Sequence, residues 1–160
     1  GVLDSLEAID FQPDLIHSHD WHTGMINFLL KEEYQQQPFY KHIKSVFTIH
    51  NLQFQGIFPF SILEDLLNLE AKKFFELEFH GHVNFMKGAI NASDTITTVS
   101  PTYMEEIQTA YYGERLDGLL RSRESALVGI LNGIDDELYN PETDPVIDEP
   151  YTVDTLSGIE

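Results

Sequence analysis

Four short runs of apolar, β-branched and aromatic residues punctuate this chain, and stretches of helical composition separate them. They are Asp14-Leu15-Ile16-His17, Ser45-Val46-Phe47-Thr48-Ile49-His50, Asp94-Thr95-Ile96-Thr97-Thr98-Val99 and Leu127-Val128-Gly129-Ile130-Leu131. Each has the length and residue types of a buried strand. Strands spaced by helices need crossover connections, and these make a mostly parallel sheet. Runs this continuously apolar are expected where helices cover both faces of such a sheet. The expected fold class is therefore α/β, a mostly parallel sheet flanked by helices.

The segments between the runs fill in this plan. Thr23 to Gln36 reads as a helix, with Pro38 just past its end. Leu52 to Phe60 holds Gly56 and Pro59 and reads as a loop. Ser61 to Phe79 is expected to carry one or two helices, and Val83 to Asn91 a further short apolar one. Ser100 and Pro101 suit the N-cap and first position of a helix running to about Tyr111. Leu116 to Glu124 reads as the next helix. From Pro141 onward the chain holds three Pro, several acids and little periodicity. Residues 1–140 are thus expected to form one domain and 141–160 a linker or tail toward another. No Gly-rich turn follows an opening strand, and the first residues read as the middle of a helix. A piece of a larger protein is expected.

Charge narrows the function classes. Nine Lys and Arg face 27 Asp and Glu, a formal net charge of −18. Such a field repels phosphate backbones and anionic lipid, so neither nucleic acid nor a membrane is an expected partner. A neutral polysaccharide is indifferent to it. No apolar stretch approaches the roughly 18 residues that span a bilayer, and the start is not a signal peptide. Cysteine is absent, which removes disulfides and thiol nucleophiles and fits a reducing compartment. Phosphate-binding GxxxxGK[ST], dinucleotide-binding GxGxxG, nucleophile-elbow GxSxG and zincin HExxH motifs are all missing.

The residues that could carry chemistry sit after the strands. Ligands of open α/β sheets bind at the carboxyl ends of strands. His17-Ser18-His19-Asp20-Trp21-His22 gathers three His, one Asp and the sole Trp at the end of the first run. Two chemistries compete there. His17 and His19 share a strand face and could ligate zinc, with His80-Gly81-His82 as a second pair. Alternatively, Trp21 stacks on a sugar ring while Asp20 and His22 bond its hydroxyls. The order His-x-His-Asp-x-His departs from the His-x-His-x-Asp-His of metallo-β-lactamase-like hydrolases, which weakens the metal reading. His50 and Asn51 end the second run and face the same crevice, where imidazole could act as a base or bond a hydroxyl. Phe54 and Phe58 are expected to pack in the core. Lys87 is expected in a surface ion pair. Ser100, most simply a cap, opens a helix whose first N–H groups could also hold an anion.

In order, these blocks resemble the bacterial glycogen synthase and plant starch synthase family. The matching stretches are Pro13-Asp14 to His22-Thr23-Gly24, Phe47-Thr48-Ile49-His50-Asn51 with Gln55-Gly56, Asn84-Phe85-Met86-Lys87, Thr98-Val99-Ser100-Pro101-Thr102-Tyr103, Leu116-Asp117-Gly118-Leu119-Leu120, Ile130-Leu131-Asn132-Gly133-Ile134-Asp135 and Tyr139-Asn140-Pro141-Glu142-Thr143-Asp144. The resemblance implies two Rossmann-like domains with an active cleft between them, this chain supplying a partial first domain. It implies glucose transfer from ADP-glucose or UDP-glucose to the non-reducing end of an α-1,4-glucan, with retention. Asp20, Trp21 and His22 would line the cleft near the acceptor and the transferred glucose, Asn51 would join them as a sugar-binding residue, and His50 would be the catalytic His beside that glucose. No metal ligand and no cofactor are implied. The family's donor-contacting Lys-x-Gly-Gly-Leu loop is not in this sequence, so the chain alone is expected to be inactive. It is also expected to self-associate through an incomplete sheet, and to be cytoplasmic. A metal-dependent hydrolase and a non-catalytic carbohydrate-binding module are the competing expectations.

Overall fold

The structure is a computed structural model and describes residues 1–70 and 73–155. Its centre is a four-stranded parallel sheet in the order β1-β2-β6-β7, from β1 (Leu15–His19), β2 (Lys44–Ile49), β6 (Thr95–Thr98) and β7 (Leu127–Gly129). Helix α1 (Val2–Ala8) leads into β1, and α2 (Asp20–Leu29) follows it directly. Leu30–Tyr34 continues α2 as a wider helical turn, with Gln35 N–H donating to the Leu30 carbonyl at 2.8 Å, so the helical stretch runs to Tyr34, close to the expected end at Gln36.

The β2–β6 crossover is more elaborate than expected. It contains β3 (Ile57–Phe58), α3 (Ile62–Asp65), α4 (Phe74–Leu77), β4 (Glu78–Phe79), β5 (His82–Asn84) and α5 (Phe85–Ala92). The short strands make a separate antiparallel sheet in the order β3-β5-β4. The expected helix over Val83–Asn91 is therefore a strand that becomes a helix at Asn84, whose side chain caps α5 by accepting from Lys87 N–H at 2.9 Å. The β4–β5 hairpin turns on His80 and Gly81, with φ of 52° and 82°. Two successive positive φ values mark the tight turn that matches strand twist. His80-Gly81-His82 is thus turn chemistry, on a sheet other than that of His17 and His19. Past β6, α6 (Pro101–Glu106) starts on Ser100 as expected, with Tyr103 N–H donating to the Ser100 hydroxyl at 2.9 Å. It stops at Glu106 rather than near Tyr111, and α7 (Asp117–Ser122) follows.

The four parallel strands step across the sheet in chain order, and right-handed crossovers in one direction put every connecting helix on one side. Phe47, Ile49, Ile96 and Leu127 face that side and pack with Met86, Ala89 and Ile90 of α5, Ile107, and Leu120 of α7. The helices flank the sheet as expected, but not on both faces. Leu15, Val128 and Ile130 on the other face are 48%, 46% and 56% exposed. Thr48, Thr95 and Thr97 sit on the open face, so the runs are rich in β-branched residues although only one face is covered.

Helices α2 and α5 cross closely because Gly24 faces Ala89; a Cβ on Gly24 would lie 2.7 Å from the Ala89 Cβ. The carboxyl end of α5 is held by Arg123, whose guanidinium donates to the carbonyls of Ile90 (2.9 Å), Asn91 (2.6 Å) and Ser93 (2.6 Å). These are the acceptors a helix end leaves without partners, and a cation suits the helix's negative pole. Replacing Arg123 with Ala is expected to cost about 2 kcal/mol of stability, since charge-assisted bonds contribute most. Equilibrium denaturation checks this, and a loss below about 0.5 kcal/mol, the scale of an ordinary surface substitution, contradicts it. No helix of the described residues is long and apolar enough to cross a membrane.

Candidate active site

The strand-to-helix joint at the end of β1 builds the site. His19 is still extended and Asp20 takes φ of 52°, a left-handed conformation that Asp tolerates better than most residues. The chain therefore turns from strand to helix within one residue, which places Asp20, Trp21 and His22 in the first turn of α2 rather than in a loop before it. Thr23 fixes the joint: its hydroxyl accepts from His19 N–H and donates to the His19 carbonyl, both at 2.7 Å.

Asp20 ties the two strand ends together. Its Oδ1 accepts from His50 N–H at 2.9 Å and from Asn51 N–H at 3.4 Å. Asp20, Trp21, His22, Asn51 and Phe54 then enclose one open cavity of about 240 Å³. Trp21 is half-buried: its ring stacks on His22 with centroids 4.0 Å apart, lies 5.8 Å from Phe58 and abuts Gly56. His22 is exposed.

His50 faces a second cavity, of about 450 Å³, over the open sheet face, with His17, His19, Thr48, Thr97 and Asn132 among its walls. His50 Nε2 and His19 Nδ1 share a hydrogen bond at 3.0 Å. His17 stacks on His19 at 4.2 Å and bonds Thr48 Oγ1 through Nε2 at 2.6 Å, and Thr48 Oγ1 bonds Thr97 Oγ1 at 2.6 Å. Burial, then the nearby His19 and His50 rings, hold the His17 pKa below its ordinary value. One nitrogen of each imidazole is thus engaged, His19 and His50 with one another and His17 with Thr48. Among the described residues, no group of three or more His, Cys, Asp or Glu converges as a metal site requires.

The sequence-based candidates therefore come together on two adjoining hollows: Asp20, Trp21, His22 and Asn51 in one, His50 in the other, joined by the bonds from Asp20. Two expectations change. Phe54 is not core but 60% exposed on the cavity rim, whereas Phe58 packs against the second core cluster as expected. Lys87 is half-buried and donates to the Glu78 carbonyl at 2.5 Å, holding β4 beside α5 instead of pairing at the surface. The His19–His50 bond and the place of Asn132 were not foreseen as parts of one site. For Asn132, the signal was available, because it too follows a strand's carboxyl end.

Residues 1–122 match the family model of the starch synthase catalytic domain. The chain belongs to this family. It is 68% identical over 159 residues to a glycogen synthase of Anoxybacillus flavithermus, covering 98% of this chain and 33% of the relative. It is 67% identical over 157 residues to that of Geobacillus stearothermophilus, covering 97% of this chain and 32% of the relative. The catalytic domain of starch synthase IV from Arabidopsis thaliana, solved bound to ADP and acarbose, matches with a TM-score of 0.77 and 34% identity, over 98% of this chain and 33% of that one. The chain thus spans about a third of the length of the relatives it matches, and its fold is that of the matching third of a starch synthase catalytic domain.

Proposed function

We propose that this chain forms the acceptor side of the active cleft of a retaining enzyme that transfers glucose from a nucleotide-glucose donor to the non-reducing end of an α-1,4-glucan. One observation carries the reading: Asp20, Trp21, His22 and Asn51 converge on one strand-end cavity while Asp20 binds the backbone of His50. Sugar recognition needs such a set, an apolar wall for the ring face and short polar groups for the hydroxyls. Glycosyl transfer passes through an oxocarbenium-like state, and contacts that tighten there lower the barrier. We assign His50 to positioning and electrostatics beside the transferred glucose, the leaving phosphate serving as base. The ADP bound by the Arabidopsis relative favours ADP-glucose over UDP-glucose as donor.

In this reading residues 1–140 are the first domain, 141–160 lead toward a second that carries most of the donor site, and the setting is the cytoplasm. The test is glucose incorporation into glycogen by the full-length enzyme carrying this segment, with ADP-glucose and UDP-glucose compared. Incorporation from ADP-glucose, lost in His50→Ala, is expected. No incorporation from either donor sinks the reading. The 160-residue chain alone is expected to show no turnover above its His50→Ala variant. Its open sheet face is expected to drive a dimer or larger species, and a monomer by light scattering at high concentration would contradict that.

A further inference from the structure

We propose that Phe54 is a carbohydrate-stacking residue that sets the affinity of this site for its glucan acceptor; the inference rests on the glucosyltransferase reading above. Exposure of a large aromatic ring is informative when the backbone around it is fixed. Leu52 is fully buried, with its N–H donating to the Tyr103 hydroxyl at 3.1 Å. Gln53 N–H donates to Asn51 Oδ1 at 3.0 Å. Gln55 is buried; its Nε2 donates to the Glu114 carbonyl at 3.0 Å and its Oε1 accepts from Asn84 Nδ2 at 2.6 Å. The Gln55 carbonyl also accepts from Met86 N–H, and the Gly56 carbonyl from Phe85 N–H, both at 3.0 Å. Phe54 thus stands between two anchors, and the anchors hold its ring in water.

Its surroundings identify the occupant. Phe60 and Phe75 are also exposed, but Phe54 closes a cavity with Asp20, Trp21, His22 and Asn51. A pyranose has an apolar C–H face and a rim of hydroxyls. The face fits an aromatic ring. The rim meets Asp20 Oδ2, the His22 ring and the Asn51 amide N–H groups, with Asp20 Oδ1 and Asn51 Oδ1 already engaged by backbone. A nucleotide base could stack on Phe54 too, but it would bring a diphosphate beside Asp20 in a chain of net charge −18. A neutral glucan carries no such penalty.

The full-length enzyme carrying this segment is assayed with maltoheptaose and ADP-glucose. Phe54→Ala and Phe54→Leu are expected to raise the KM for maltoheptaose roughly tenfold, the loss of one good stacking contact. The KM for ADP-glucose should stay within about twofold, and Phe54→Tyr should retain acceptor affinity. An unchanged acceptor KM in Phe54→Ala overturns the proposal. So does a selective rise in donor KM, and so does full retention by Phe54→Leu, which would mean that apolar bulk suffices. Maltoheptaose binding by calorimetry keeps the test independent of turnover: equal Kd for the unmodified and Phe54→Ala proteins overturns it. An unmodified enzyme that binds maltoheptaose through Phe54 but transfers no glucose would instead sink the glucosyltransferase reading alone.

Discussion

Replacing Asp20 with Gly in the full-length enzyme is expected to cut glucosyl transfer about a hundredfold, the scale of a misplacement near 1 Å at reacting groups. The carboxylate holds the first two residues beyond β2 through His50 N–H and Asn51 N–H. Without it, His50 and Asn51 lose the contact that sets them against the first turn of α2. Asp20 also has φ of 52°. Gly accepts that conformation freely, so Asp20→Gly removes the carboxylate without adding strain, whereas Asp20→Ala adds about 1 kcal/mol of left-handed strain. Asn tolerates the conformation and keeps an oxygen that can accept from the same N–H groups, but it lacks the charge. The expected order of activity is Asp, then Asn, then Gly and Ala together. The expected order of stability puts Ala lowest. Initial rates beside thermal unfolding separate the two effects. A Gly variant with near-normal rate would show that the brace has no part in transfer.

The sequence exposed some features of this fold because they are local. The parallel strands were legible from their own residue types, and the start of α6 from Ser100 and Pro101, because a cap and a fixed φ act over one turn. The β4–β5 hairpin was not legible. Its strands are two and three residues long, too short for alternation to register, and its turn uses His80-Gly81 where Asn-Gly would have been recognised. The helix expected to reach Tyr111 stops at Glu106, because composition does not mark where packing ends. Coverage of the sheet on one face only is a property of strand order, which no local signal carries. Strand-end placement marks Asp20, Trp21, His22, His50 and Asn51 as candidates, and the structure brings them to two adjoining hollows. Phe54 was misread because an aromatic residue is usually buried, and its exposure follows from anchors at Tyr103, Asn84 and Glu114, between 30 and 60 positions away in the chain. The His19–His50 bond is a neighbour relation across two strands, set by the register that pairs His19 with Thr48.

The largest structural effect is expected at Gly56. Its φ is 64°, and an added Cβ would lie 2.5 Å from Trp21 Cε3 and 2.8 Å from Trp21 Cδ2. Trp21 has no easy retreat, because His22 stacks on it and Phe58, itself 4.7 Å from Phe85, lies nearby. Gly56→Ala therefore combines backbone strain with overpacking, each on the order of 1–3 kcal/mol, for a total of about 3 kcal/mol. Gly81 provides the control. Its φ is 82°, yet nothing lies within 4 Å of a Cβ built there, so Gly81→Ala carries the strain alone. Subtracting the two losses in equilibrium denaturation isolates the clash with Trp21. Trp21 is the sole tryptophan of this chain, so its emission reports the same event directly. Gly56→Ala should move that emission toward the red as the ring is pushed into solvent, and Gly81→Ala should leave it in place. Equal losses at the two glycines, with unshifted emission in both, would mean that Trp21 does not rest on Gly56 and that the cavity wall it forms is not fixed from below. The expected inequality makes Gly56 the floor of the aromatic wall, a position where even a methyl group displaces the ring that the cavity is built around.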